Sequence, residues 1–197
     1  SPLTIEALTA GTIKVNIRDF NDQEGTLSAG MKYSVDGRTT KTLITQSTDI
    51  TVAKGDKVQF YGNGTQTQAY YIQGEVSVTI NGSGEGFKTK VYGNIMSLLD
   101  EEGFATKTEL PNNDNVFYGL FYVNLTLADA SELLLPATKL TPHCYAYMFN
   151  SCTSLTTAPK LPAMTPASSC YEAMFSDCTS LTTAPKLPAT TLASWCY

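Results

Sequence analysis

Five cysteines, one histidine and eleven tyrosines are the residues of this 197-residue chain whose types could do chemistry. An odd number of cysteines leaves at least one thiol unpaired within the chain. Cys144, Cys170 and Cys196 recur at an interval of 26, and Cys152 and Cys178 recur at the same interval. Residues one period apart stack in a repeat protein, so each column is expected to be a line of thiols in the core. A free cysteine packs there as a small hydrophobe. A Cys152–Cys178 disulfide is a second reading if the two Cα atoms come within disulfide range. Metal binding is a third and weaker reading. There is no Cys-x-x-Cys, and His143 has no ligand-spaced partner histidine. His143 does precede Cys144, but adjacent residues of a helix point in different directions and cannot act as a nucleophile–base pair. Its counterparts in the next units are Ser169 and Trp195, so the position accepts any side chain.

Carboxylates and glycines offer less. Asp100, Glu101 and Glu102 form one run at a helix end and read as a solvated face. No feature marks two carboxylates set across a cleft as glycoside hydrolysis requires. Gly62-Asn63-Gly64 and Gly82-Ser83-Gly84-Glu85-Gly86 lie between segments of period two, and neither leads into Lys-Ser/Thr. They are read as hairpin turns rather than phosphate loops. Tyrosine is left. In Phe60-Tyr61 and Tyr70-Tyr71, consecutive strand residues face opposite sides of a sheet. Tyr61, Tyr70 and Tyr71 are therefore the candidate ligand platform, against ordinary cross-strand pairing as the plain reading. Tyr145, Tyr171 and Tyr197 repeat with the cysteines and predict a tyrosine ladder on or under the surface, with core packing favoured.

The elements that must position these residues divide the chain into two textures. From Leu135 the chain reads LPATKLTPHCYAYMFNSCTSLTTAPK, and from Leu161 LPAMTPASSCYEAMFSDCTSLTTAPK. Sixteen of the 26 positions are identical, where unrelated sequence gives about one or two, so this is a true repeat. A third copy begins at Leu187 and stops at Tyr197, which reads as a cut in the chain. Within a copy, Cys144, Tyr145, Met148, Phe149 and Cys152 fall on one stripe of a helix, and Cys170, Tyr171, Met174, Phe175 and Cys178 repeat it. Thr141-Pro142 fits an N-cap and first turn. Leu155 and Leu181 then head a short extended segment. Each unit is read as helix plus strand, with Cys144, Met148, Phe149, Cys152, Leu155, Cys170, Met174, Phe175, Cys178 and Leu181 as the repeat core. Phe117, Tyr118, Phe121, Tyr122 and Leu125 echo the stripe, so residues 115–134 read as a degenerate cap.

Residues 1–93 instead alternate with period two, as in Thr12-Ile13-Lys14-Val15-Asn16-Ile17 and Glu75-Val76-Ser77-Val78-Thr79-Ile80. Asn94–Glu102 reads as a short helix. The expected fold class is α+β: an antiparallel, immunoglobulin-like β-sandwich over 1–93, a helix and linker over 94–114, and an array over 115–197. The array divides into the cap 115–134, units 135–160 and 161–186, and a partial unit 187–197.

The two full units closely resemble the BspA-type leucine-rich repeats of bacterial cell-surface proteins. VYGNIMSLL (Val91 to Leu99) and LLLPAT (Leu133 to Thr138) are similar to stretches of members from gut Bacteroidetes. The resemblance implies a short leucine-rich-repeat solenoid after a β-rich module, in an exported, surface-anchored protein that binds or adheres and is not an enzyme. It implies no cofactor and no particular binding residues.

Composition sets the remaining bounds. Thirteen basic against eighteen acidic residues give a net charge of −5, which argues against nucleic-acid binding. No apolar run approaches a membrane span, so membrane contact is expected only through a lipid anchor outside this stretch. The chain opens Ser1-Pro2 with no Met and no leader, as a processed product does. The leading expectation is a surface adhesion protein presenting its repeat face to a protein or glycan. The alternatives are a glycan-binding accessory module that uses exposed tyrosines of the N-terminal region, and a structural spacer. An uncovered last unit predicts self-association through that end.

Overall fold

The computed structural model describes residues 1–64, 69–72 and 74–197. Alternating apolar residues make strands where expected. In β2 (Gly11–Arg18), Ile13, Val15 and Ile17 are buried, while Lys14, Asn16 and Arg18 face out. β8 (Val76–Ser83) pairs antiparallel with β2, setting Ile17 opposite Val78 and Val15 opposite Ile80. The other strands are β1 (Leu3–Ala7), β3 (Met31–Val35), β4 (Thr42–Ile44), β5 (Thr48–Val52), β6 (Lys57–Gly62), β7 (Tyr71–Ile72), β9 (Thr89–Asn94) and β10 (Leu127–Leu134). They form two sheets, ordered β10-β9-β1-β6-β3-β4 and β5-β2-β8-β7. One hydrophobic core draws on both sheets and continues through the repeats to Cys196.

Two local expectations change. The hairpin turn expected over Gly82 to Gly86 begins later, because Gly82 and Ser83 lie inside β8. A Cβ on Gly82 would sit 2.3 Å from Thr126 Oγ1, so glycine is required there by the close approach of the later chain. Asn94–Glu102 supplies only one 3₁₀ turn, Ile95–Leu98, capped by Asn94. Its residues are buried beneath the first sheet, and Ser97 Oγ donates to the Phe60 carbonyl at 2.8 Å.

The larger correction concerns the repeats. Among the described residues there is no α-helix, and the helix-plus-strand leucine-rich-repeat solenoid, and with it the α+β class, is overturned by a chain that is almost wholly β and turn. The hydrogen bonds give the reason. A helix sends every N–H back to the carbonyl four residues earlier. Here the donors alternate between two other destinations. Cys144, Ala146 and Met148 donate back three residues, to Thr141, His143 and Tyr145. Tyr145, Tyr147, Phe149 and Ser151 instead donate to the carbonyls of Cys170, Glu172, Met174 and Ser176 in the next unit, at 2.8–3.0 Å. Each unit is thus a ribbon of successive turns laid on the next. Every fourth residue takes a positive φ: His143 (53°), Tyr147 (56°) and Ser151 (59°), then Ser169, Ala173 and Asp177 (52°, 48° and 58°). Thr141 Oγ1 makes no capping bond and is buried without a partner.

The predicted repeat core is nevertheless inside. Cys144, Met148, Phe149, Cys152, Leu155, Cys170, Met174 and Cys178 are buried, and Phe175 and Leu181 pack against them half-buried. A four-residue turn places its inward pair at the same positions as a short helical stripe. All five cysteines are free thiols. Cys152 Sγ donates to the Phe121 carbonyl at 3.1 Å, and Cys178 Sγ to the Phe149 carbonyl at 3.0 Å. Desolvation pushes the Cys152 thiol up to about 12 and Cys170 to about 11, which suppresses the reactive thiolate.

Residues 115–134 form a layer between the sheets and the full units. On one side β10 extends the first sheet by pairing parallel with β9, and Asp129 in turn bridges to Thr157. On the other side Tyr70 and Ile80 donate to the carbonyls of Val116 and Leu120. Phe117 and Phe121 make the equivalent bonds to Cys144 and Met148. The second sheet therefore presents the same bonding edge that each later unit presents. Parallel ring stacks follow the same rows: Tyr70, Phe117, Tyr145, Tyr171 and Tyr197 at 5.7–6.0 Å, and Phe121, Phe149 and Phe175 at 5.4–5.6 Å.

Candidate ligand-binding groove

The inner ring stack has an outer counterpart. Tyr70 faces the core, so its neighbour in the extended chain, Tyr71, faces out. Phe117 and Tyr118 divide in the same way. Tyr71 meets Tyr118 with centroids 4.5 Å apart, and Tyr118 meets Tyr147 at 5.3 Å. The outer line therefore crosses from β7 onto the first layer and then onto the first full unit. Beside it the outward residues of β8, Ser77, Thr79 and Asn81, form a polar floor. Asn16 of β2 donates to Thr79 Oγ1 at 3.3 Å, and the Asn81 amide reaches the Tyr122 carbonyl at 3.1 Å.

Two hollows open on this surface. One, of about 380 Å³, is lined by Tyr71, Ser77, Thr79, Tyr118, Gly119, Tyr122 and Tyr147. The other, of about 650 Å³, shares Tyr71, Ser77, Thr79 and Tyr122 and continues past Asn16, Asn81 and Glu75 to Arg18, Asp19, Asp22 and Phe20. Arg18 is paired with Glu24 at 3.4 Å. Asp19 Oδ1 accepts the N–H groups of Asn21 and Gln23, which fixes the loop that carries Phe20. Phe20 is 74% exposed, a cost in water that a ligand would remove.

The phenols of Tyr118 and Tyr147 are donors. Burial first, then the neighbouring phenols of Tyr147 and Tyr71 and the Glu172 carboxylate, push Tyr118 up to about 12. The Glu172 charge raises Tyr147, whose hydroxyl donates to Glu172 Oε1 at 3.3 Å. His143 Nδ1 lies 3.8 Å from the other oxygen of the same carboxylate. Phenols held protonated cannot serve as bases, and among the described residues no three His, Cys, Asp or Glu side chains gather as metal ligands would. The arrangement suits recognition: flat rings for apolar contact, and hydroxyls and amides for orientation.

Of the three tyrosines expected to form a platform, one lines the groove. Tyr71 does. Tyr70 is fully buried and donates to the Leu98 carbonyl at 2.7 Å. Tyr61 is 8% exposed, with the Lys41 ammonium 4.3 Å above its ring. Tyr118 and Tyr122 are hidden by register, whereas Tyr147 lies outside the repeat stripe and carries no signal of its own. The stripe expected at Phe117-Tyr118 and Phe121-Tyr122 is shifted by one, so the inward pairs are Val116-Phe117 and Leu120-Phe121. The shift turns Tyr118 and Tyr122 outward. Asn115, Gly119 and Val123, which share the positive φ of His143, Tyr147 and Ser151, mark the true register.

No family model matches the chain, and no curated protein and no solved structure matches it.

Proposed function

We propose that this protein is an exported cell-surface binding protein whose ligand is a glycan held in the tyrosine-lined groove. The observation that carries the reading is the line Tyr71–Tyr118–Tyr147 running beside the polar floor of β8. Sugars have weakly positive C–H faces and a rim of hydroxyls. The faces match the negative face of an aromatic ring, at about 0.5–1.5 kcal/mol for each good contact. The hydroxyls match Thr79, Ser77 and the amides of Asn16 and Asn81. The surface setting rests on the sequence resemblance of the two units to BspA-type repeats, and the acidic chain agrees with a ligand other than nucleic acid.

A glycan array probed with the intact chain tests this. Saturable binding is expected, and Tyr71→Ala, Tyr118→Ala and Tyr147→Ala should each weaken it about tenfold or more. Leu43→Ala, which removes an exposed apolar side chain on the edge strand β4 of the other sheet, should leave it unchanged. Binding that survives all three tyrosine substitutions would remove the groove from the function.

A further inference from the structure

We infer that the groove takes an internal segment of a long, uncharged polysaccharide and excludes polyanionic ones. This rests on the glycan reading above and adds the chain position and charge of the ligand. Three observations carry it.

The first is length. The two hollows share Tyr71, Ser77, Thr79 and Tyr122, so they form one continuous path. Their volumes, about 380 and 650 Å³, each lie within the range of small-molecule sites, and the joined path from Phe20 to Tyr147 is longer than either hollow alone.

The second is the form of the ends. A site for a chain terminus needs a blind wall with polar groups that count the terminal hydroxyls. Here one end runs out at Phe20, whose ring is largely in solvent, and the other at Tyr147. The outer rings are also packed against each other at 4.5 and 5.3 Å, which leaves no slot between them for a single group. A ligand can only lie along the line, with its successive sugars meeting successive rings.

The third is charge. The path passes Asp19, Asp22 and Glu75, and Glu172 stands behind Tyr147. The one cation among the described lining residues, Arg18, is already paired with Glu24. A chain bearing a carboxylate or sulfate on each unit would meet like charge along the path, and no free cation there would compensate. A neutral chain meets no such penalty, and the acidic groups can accept its hydroxyls.

Native electrophoresis of the intact chain through gels containing soluble polysaccharides gives the first test. Retardation is expected with at least one of xyloglucan, galactomannan, mixed-linkage β-glucan or pullulan, and none with polygalacturonate or heparin. Oligosaccharides cut from the retained polymer, from disaccharide to octasaccharide, are then titrated by calorimetry. Affinity should rise about tenfold or more between trisaccharide and hexasaccharide, and borohydride reduction of the chain end should leave the hexasaccharide affinity unchanged. Phe20→Ala should remove most of the gain seen with the longer oligosaccharides. Affinity that is flat beyond the disaccharide, or lost on reduction of the end, overturns the internal-segment assignment while the glycan reading stands. Retardation by heparin or polygalacturonate equal to that by the neutral polymers overturns the charge assignment. Retardation by none of the polymers overturns the inference, while saturable binding on the glycan array decides the reading beneath it.

Discussion

The sheets of residues 3–94 and the stacked turns of residues 115–197 bury the same kinds of side chain in aligned rows, yet they close their backbone hydrogen bonds in different ways. In the sheets every pairing is between neighbouring strands, and side chains alternate in and out. In the turns half of the donors close locally, and only every second N–H reaches the next layer. The side chains accordingly go in by pairs, at intervals of four. What the two regions share is the bonding edge: Tyr70 and Ile80 of the second sheet occupy the places that Phe117 and Phe121, and then Tyr145 and Phe149, occupy in the layers above. The sheet acts as the first layer of the stack. That sharing explains why the groove exists, since the outer tyrosines can align only if the two regions keep one spacing.

The joint between the regions is where the comparison breaks most readily. Asn124 is buried at the position that Cys152 and Cys178 hold in later units. Its Nδ2 donates to the Ile80 carbonyl at 3.0 Å, as the two thiols donate to Phe121 and Phe149. Its Oδ1 also accepts from the N–H groups of Thr126 and Leu127 and from Thr126 Oγ1. Asn124→Leu would strand the Thr126 and Leu127 N–H groups and Thr126 Oγ1 in the core, at about 1–3 kcal/mol for each unsatisfied buried group, while the Ile80 carbonyl keeps the Asn81 amide. The expected loss in a urea titration is about 4 kcal/mol. A loss under about 1 kcal/mol would mean that the sheet and the first layer are not joined through this side chain.

Alkaline solution should separate the regions next. The five thiols all lie in the stack and none in the sheets. A thiol whose folded pKa is raised favours the protonated fold. Its contribution is fully present below the unfolded value of about 9 and is lost as pH rises through the folded value. The window therefore runs from about pH 9 through about 11 for Cys170 and about 12 for Cys152. Hydrogen exchange of the Phe149 and Cys152 amides should accelerate across that window earlier than exchange of the Val15 and Ile80 amides. Below it, Ellman's reagent should leave Cys144 and Cys152 untouched in the folded chain. Reaction of all five at neutral pH would show that the stack opens readily.

Much of the first region was legible in the sequence and rather little of the second, for a physical reason. Period two repeats within a few residues, so Ile13, Val15 and Ile17 alone define a strand face. Periods of 3.6 and four separate slowly. Across Cys144, Met148 and Cys152 either one keeps the side chains on one side, so the short stripe predicts a helix as readily as a ribbon of turns. The membership of the core survived that ambiguity because inward positions are the same in both. The site did not, because one step of register in residues 115–125 decides whether Tyr118 and Tyr122 are core or surface. The discriminating signal lay in the residues of positive φ. Asn115, Gly119, Ser151 and Asp177 include types that tolerate this region, but Tyr147 and Val123 do not, and they blurred it.

One substitution turns on that difference alone. Ala173 sits at φ 48°, in the place of Tyr147 and of Gly119 in the layers before it. In an α-helix, Ala→Gly at an interior site costs about 1 kcal/mol, because glycine loses more backbone freedom on folding. In the ribbon of turns the sign reverses. A left-handed conformation costs a residue with a Cβ about 1–2 kcal/mol, and glycine adopts it without strain. The Asn150 side chain bonds the Ala173 carbonyl, a contact that the substitution leaves in place. Ala173→Gly should therefore raise stability, by a net of about 0.5–1 kcal/mol once the entropy of the unfolded glycine is set against the relieved strain. A shift of the urea midpoint to lower concentration would reinstate the helix and take the period of four with it.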